Sequence, residues 1–126
     1  MRIYIICPVR KANAEDIVEQ KRVVGRLRVD GHAVYWPPED APQEDPTGLA
    51  IVESECEAIR DADIVCVLQW RETQGQVFDL GMAVALGKPI LVVKPPETTE
   101  HKSYANVLLL LVARSRAQGK LELAGV

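Results

Sequence analysis

Residues 64–94 read IVCVLQWRETQGQVFDLGMAVALGKPILVVK. Ile64 to Leu68 (IVCVL) is a short, apolar, β-branched run, and Pro89 to Lys94 (PILVVK) is another. Runs of this length, bounded by polar or turn residues, read as strands buried on both faces of a parallel sheet. Between them lie a polar loop, Gln69 to Gln74, and a helical stretch, Gln76 to Leu86, ended by Gly87. Glycine readily takes the left-handed conformation that closes a helix. Strand, helix and strand in this order make a parallel pair joined by a right-handed crossover.

The same alternation extends in both directions. Arg2 to Cys7 (RIYIIC) reads as the first strand. Asn13 offers an N-cap with Asp16 three residues on, predicting a helix that runs to about Asp30 and closes at Gly31. Ala33 to Trp36 reads as the second strand, stopped by Pro37 and Pro38. Pro37 to Pro46 reads as an acidic, proline-rich loop long enough to serve a function. Asp45 and Pro46 look like an N-cap and the first residue of a helix reaching Arg60 or Asp61. Beyond Lys94, Ser103 to about Arg116 predicts an apolar-rich helix, and Leu121 to Leu123 a short edge strand. The pattern predicts one α/β domain over residues 1–126, a flavodoxin-like (Rossmann-like) three-layer α/β/α sandwich. Its parallel sheet would have the order 2-1-3-4, with or without a fifth strand. Ligands of such sheets bind beyond the carboxyl ends of the strands where the order reverses. Here that means the loops Pro8 to Asn13 and Gln69 to Gly75.

Composition narrows the function. The 126 residues are 48% hydrophobic and 26% charged, with a formal charge of -3, ordinary values for a globular chain. A nucleic-acid polymer would call for a basic face, whereas one or two local cations suffice for a small anion. No run approaches the roughly 18 apolar residues of a membrane span. The run Ile3 to Val9 leads straight into charged sequence and so reads as a strand, not a signal peptide, which predicts a cytoplasmic protein. Cys7, Cys56 and Cys66 sit in apolar contexts and read as reduced, buried thiols. No Cys/His spacing suggests a metal, His32 and His101 read as solvent-facing, and no cofactor is called for. Neither Gly-x-Gly-x-x-Gly nor a P-loop occurs after the first strand. A phosphate-binding cysteine loop would need arginine at position 13, which is Asn13, and a phospho-receiver would need acidic residues where Pro8 and Arg10 stand.

Two carboxylates stand out. On the helix ending near Asp61, Ile51, Val52, Cys56, Ala58, Ile59 and Ala62 share one arc, with Glu53, Glu57 and Arg60 opposite. Glu55 falls inside the apolar arc, where a lone carboxylate is costly unless it is paired or aimed into a cleft. Asp79 lies about one turn into the next helix, whose dipole would favour its ionised form and suit it to nucleophilic attack. The plainer readings are a Glu55 that satisfies a backbone or arginine partner and an Asp79 that complements the helix dipole from the surface. Gly75 permits close approach of a ligand at a helix N-terminus. Arg10 is the cation best placed for a phosphate or carboxylate, and Thr73 offers a hydroxyl to the same anion. Trp36 and Trp70 end their strands, where they serve as core packing or as a platform for a base.

The run Asp61-Ala62-Asp63-Ile64-Val65-Cys66-Val67-Leu68, Gly75, and Asp79-Leu80-Gly81-Met82-Ala83-Val84-Ala85-Leu86-Gly87-Lys88-Pro89 resembles the nucleoside 2-deoxyribosyltransferase family. Cys7-Pro8-Val9-Arg10 resembles the first loop of its relatives, the 2′-deoxynucleoside 5′-monophosphate N-hydrolases. The resemblance covers roughly residues 1 to 96 and is most specific from Gly75 to Pro89. It implies a covalent glycosyl-enzyme with Asp79 as nucleophile and Glu55, eight positions before Asp63, as the supporting acid or base. It implies that Arg10, Thr73 and Gly75 cradle a 5′-phosphate. It further implies that a homodimer or higher homo-oligomer completes the site, with Ser103 to Arg116 and its Leu108 to Val112 run as a subunit face. The departures are specific. Asp79 stands where the family has glutamate and Glu55 where it has aspartate, so the pair has exchanged side-chain lengths. Pro8 replaces a phosphate-contacting serine and Lys11 a glycine. The expected function is N-glycosidic bond cleavage or (deoxy)ribosyl transfer on a small nucleoside or nucleotide, without metal or cofactor. The alternatives are a non-catalytic nucleotide-binding module and a purely structural adaptor.

Overall fold

In a parallel strand successive side chains point to opposite faces, so β1 distributes its residues between two cores. The computed structural model describes residues 1–119 and 123. Its elements are β1 (Arg2–Ile6), α1 (Ala14–Val29), β2 (Ala33–Tyr35), α2 (Pro37–Asp40), α3 (Leu49–Asp61), β3 (Ile64–Val67), α4 (Gln74–Ala85), β4 (Ile90–Val92) and α5 (Tyr104–Ala117). The four strands are parallel in the order β2-β1-β3-β4, as the alternation predicts. Ile3, Ile5 and Cys7 join Ile64, Cys66 and Leu68 under Val23, Val24 and Leu27 of α1. Tyr4 and Ile6 join Val65 and Val67 on the other face, under Ile59 of α3, Leu80 and Ala83 of α4, and Leu108 and Val112 of α5. The result is a three-layer α/β/α arrangement. No helix among the described residues is long and apolar enough to cross a membrane.

Local chemistry explains the ends that match. Asn13 accepts a hydrogen bond from the Asp16 amide at 2.8 Å, and Asp16 accepts one from the Asn13 amide at 3.1 Å, a reciprocal cap. Gly31 follows α1 with φ +93°, a conformation that costs a side-chain-bearing residue more than glycine.

Several boundaries differ from expectation. The stretch from Pro37 is not all loop: Pro37–Asp40 forms α2, with Pro37 and Pro38 in its first turn, where proline's missing N–H costs nothing. Helix α3 begins at Leu49, with Gly48 at its N-cap in the left-handed region, rather than at Pro46. Asp45 still caps it, but from farther away. Its carboxylate accepts from the amides of Thr47, Ala50 and Ile51 at 3.2, 2.6 and 3.3 Å. Residues 46–48 form the intervening loop. Helix α4 begins at Gln74, two residues early, because Thr73 caps it. Cys56 is half-buried, unlike Cys7 and Cys66, and His32 is half-buried with Nδ1 3.1 Å from the N-terminal nitrogen. Leu108 and Val112 belong to the protomer's own core and present no subunit face. The edge strand expected at 121–123 falls outside the described residues except for Leu123, which is not in a strand.

Leu108 is fully buried and fastens α5 to the sheet. Leu108→Ala is expected to lower unfolding free energy by about 2–5 kcal/mol, the usual range for a leucine-to-alanine cavity. Urea denaturation measures this.

Candidate active site

The helices over the Tyr4 face bring the two singled-out carboxyls together. Glu55 lies one turn before the buried Ile59 on α3, and Asp79 one turn before the buried Ala83 on α4, so both face the sheet. Beneath them Tyr4, which is fully buried, directs its hydroxyl upward from β1. That oxygen is 2.6 Å from Glu55 Oε2 and 2.9 Å from Asp79 Oδ2. The ring is fixed by stacking on Tyr35, with centroids 5.2 Å apart and planes inclined by 14°. Tyr35 is held in turn by a 2.8 Å contact between its hydroxyl and Ser54 Oγ.

A tyrosine hydroxyl carries one hydrogen. It can donate to only one of the two carboxyls at a time, and two carboxylates held this close repel each other, which favours a proton on one of them. The proton belongs on the more buried group, because burial disfavours charge. Asp79 is 8% exposed, and burial pushes its carboxyl up to about 8. The charge of Glu55 and a hydrogen bond to it act in the same sense, and the Tyr4 hydroxyl opposes them. The helix dipole does not keep Asp79 ionised, as the sequence had suggested. Asp79 is the sixth residue of α4, beyond the first turn where the dipole acts, and burial prevails. Tyr4 stays protonated, first because it is buried and then because the two carboxyls surround it.

Both carboxyls open onto a cavity of about 520 Å³, within the range of small-molecule sites. It lies at the β1–β3 reversal. Arg10, Thr73 and Gly75 also line it, so all five residues singled out in the sequence converge on one space. A Cβ built on Gly75 would meet nothing within 4 Å; the space beside it is open to a ligand. Lys11 stands beside Arg10, and neither makes a hydrogen bond or ion pair among the described residues. Pro37, Ala41, Pro42 and Ile51 form an apolar portion of the wall. Cys7 also lines the cavity, but burial, the first of several influences, pushes its thiol up to about 12. It is a neutral wall residue and no nucleophile.

Thr73 has a second duty. Its hydroxyl accepts from the Gln76 amide at 3.2 Å and donates to Gln76 Oε1 at 3.3 Å. Gln76 Oε1 also accepts from the Arg71 amide at 2.9 Å, and its Nε2 donates to the Gln69 carbonyl. This clamp spans Glu72, whose φ of +54° is the one left-handed non-glycine among the described residues. A second network lies across the sheet. Gln20 donates to the Pro8 carbonyl and to Gln69 Oε1, and accepts from the Trp36 indole at 3.0 Å. Neither Trp36 nor Trp70 lines the cavity. Trp36 is committed to Gln20, and Trp70 packs on the opposite core with its Nε1 buried and unpaired.

The model of the family described as nucleoside 2-deoxyribosyltransferase matches residues 3–109, most of the chain. The chain belongs to the nucleoside 2-deoxyribosyltransferase family. No curated protein sequence matches it. Among solved structures, the 2-deoxyribosyltransferase from Bacillus psychrosaccharolyticus aligns with a TM-score of 0.66 at 24% identity, covering 90% of this chain and 80% of that one. The CMP N-glycosidase BcmB from Clostridium botulinum aligns with a TM-score of 0.59 at 16% identity, covering 88% and 82%. Both share the fold of this family member.

Sequence reasoning about the transferase-family site missed Tyr4, Gln20, Gln69 and Gln76. Two signals were available. Thr73-x-x-Gln76 is a capping-box pattern, and Gln20 occupies a core position in register with Val23, Val24 and Leu27.

A carboxyl held near 8 in the folded chain against an ordinary value of 3.8 keeps a proton that the unfolded chain releases. Its contribution to stability is therefore fullest below about pH 4 and is lost as pH rises towards 8. Asp79→Asn is expected to stabilise the protein by an amount that is nil near pH 4 and grows as pH rises towards 8. Thermal unfolding of both proteins across that range checks it.

Proposed function

We propose that this chain breaks the N-glycosidic bond of a nucleoside or nucleoside 5′-monophosphate through its carboxyl pair. Water resolving the sugar intermediate would make it a hydrolase, and a second base would make it a transferase. The observation that carries this reading is the meeting of Glu55 and Asp79 on one tyrosine hydroxyl, at the wall of a cavity that also holds unpaired cations. Covalent glycosyl transfer needs one group that attacks the anomeric carbon and one that manages the proton of the leaving base. An ionised and a protonated carboxyl held side by side supply both. Family membership, and the activities named for the two aligned structures, point to the same bond.

Arg10, Lys11, the Thr73 hydroxyl and the open space beside Gly75 favour a 5′-phosphate at one end of the cavity. The apolar wall suits a base at the other. No metal or cofactor enters this reading, which takes residues 1–126 as one cytoplasmic domain working as a homodimer or larger homo-oligomer. Tyr104, Val107 and Leu110, exposed at three-residue intervals along α5, support a subunit contact there, to which the run Leu108 to Val112 contributes Leu110 and not its buried ends.

Base release from deoxynucleosides and their 5′-monophosphates, with and without a second free base, tests the proposal. Wild type is expected to release base from the monophosphates. Arg10→Ala is expected to lose about 10-fold or more in kcat/KM on monophosphates and much less on nucleosides, as removal of a charge-assisted contact predicts. Binding without release from any substrate would leave a nucleotide-binding module instead.

A further inference from the structure

Arg10 follows β1 and Thr73 follows β3, so an anion that meets both is held by two separate loops. We propose that Gln69 is a positioning residue for a 5′-phosphate: it joins the Arg10 loop to the Thr73 loop, so that the cavity prefers a phosphorylated substrate over the free nucleoside. This rests on reading the cavity as a nucleotide site.

Gln69 is 8% exposed and is not part of the cavity wall. Its side chain serves the first loop. Gln69 Oε1 accepts from Gln20 Nε2 at 2.9 Å, and the same Gln20 nitrogen donates to the Pro8 carbonyl at 3.1 Å. Gln69 Nε2 donates to the carbonyl of Asp16 at 3.1 Å, in the first turn of α1 where that loop ends. The Arg10 loop is thus pinned on both sides. The backbone carbonyl of Gln69 serves the second loop. It accepts from Gln76 Nε2, and Gln76 Oε1 accepts from the amides of Arg71 and Thr73 at 2.9 and 3.3 Å. The two sets of bonds meet at Gln69. A 2.7 Å ion pair between Arg71 and Asp16 runs beside them.

Chemistry forces the orientation of each amide. The Trp36 indole N–H only donates, and it lies 3.0 Å from Gln20 Oε1. Gln20 must then turn its nitrogen to Pro8 and Gln69. Gln69 must offer Gln20 its oxygen, which leaves its nitrogen for the Asp16 carbonyl. No member of the chain can turn over alone. Gln20 and Gln76 are 0% and 1% exposed, and a buried network with its partners in place is rigid. Glu72, between Arg71 and Thr73, keeps its φ of +54°, a strain that persists where the surroundings over-determine the backbone. An anion that need not order either loop on arrival binds more tightly. A neutral 5′-hydroxyl draws less from the same cations.

The probes are carbocyclic 2′-deoxynucleosides of the common bases and their 5′-monophosphates. They lack the ring oxygen that supports cleavage and stay intact during calorimetry. Wild type is expected to bind the monophosphates more tightly than the nucleosides. Gln69→Met keeps the bulk and removes both side-chain bonds. It is expected to weaken the monophosphates by about 10-fold or more and the nucleosides by less than about twofold. Gln20→Met breaks the same link from α1 and is expected to give the same selective loss. Added to Arg10→Ala, Gln69→Met is expected to cost the monophosphates little more, because both substitutions disable one cradle. Equal weakening of nucleosides and monophosphates marks a merely structural role and overturns the proposal. Additive losses in the double variant overturn it too, as do monophosphates that bind wild type no more tightly than nucleosides. Cleavage is read separately as base release. Absence of release with the selective loss intact would sink the N-glycosidic reading and leave the role of Gln69 standing.

Discussion

One hydroxyl placed between two carboxyls governs the rest of this molecule. Burying acidic groups together is unfavourable, because desolvation and mutual repulsion both oppose charge. Tyr4 makes the arrangement tenable by meeting both groups with a single oxygen, while burial pushes the Asp79 carboxyl towards its neutral form. The fold's task is therefore to hold three side chains from β1, α3 and α4 in register. The stacking of Tyr4 on Tyr35 and the anchoring of Tyr35 by Ser54 serve this end.

Around this centre two polar networks hold the loops that frame the cavity. Gln76 gathers the chain from Gln69 to Thr73 through backbone groups, including the strained Glu72. Gln20 ties together the Pro8 carbonyl, Gln69 and Trp36. Buried amides of this kind stabilise only when each polar atom finds a partner. The loops after β1 and β3 are thus held by Gln20 on one side and by Gln76, itself a wall residue of the cavity, on the other. Among the described residues, Arg10 and Lys11 take no part in either network and line the cavity.

Much of the fold was legible because a parallel α/β sheet writes itself as short apolar runs separated by helical spacing. The order β2-β1-β3-β4 followed, and the ends of α1 followed from Asn13, Asp16 and Gly31. The start of α3 was misplaced because Asp45 and Pro46 satisfy the local pattern of a cap, whereas Asp45 actually reaches across a loop to Ala50 and Ile51. α2 was missed because the Pro37–Pro38 pair that ends a strand is equally acceptable in a first helical turn. Within the site, Glu55 announced itself as a charge on an apolar arc. Tyr4 did not, since a hydroxyl on a buried aromatic leaves no mark on hydrophobic periodicity. The protonation of Asp79 was invisible for a different reason. It arises from burial under other elements, and residue spacing along one helix says nothing of that.

Tyr4 is 51 residues from Glu55 and 75 from Asp79 along the chain, and its place depends on the pleat of β1. A slip of β1 by one residue against β2 and β3 would turn Tyr4 toward α1 and leave an aliphatic side chain beneath the carboxyls. The two acids would then face each other without a shared donor. The site thus acts as a proofreader of strand register: a misaligned chain carries an electrostatic penalty in its core that the correctly paired chain does not. The buried acid pair and its shared tyrosine thus help to single out the native pairing from its nearest competitor.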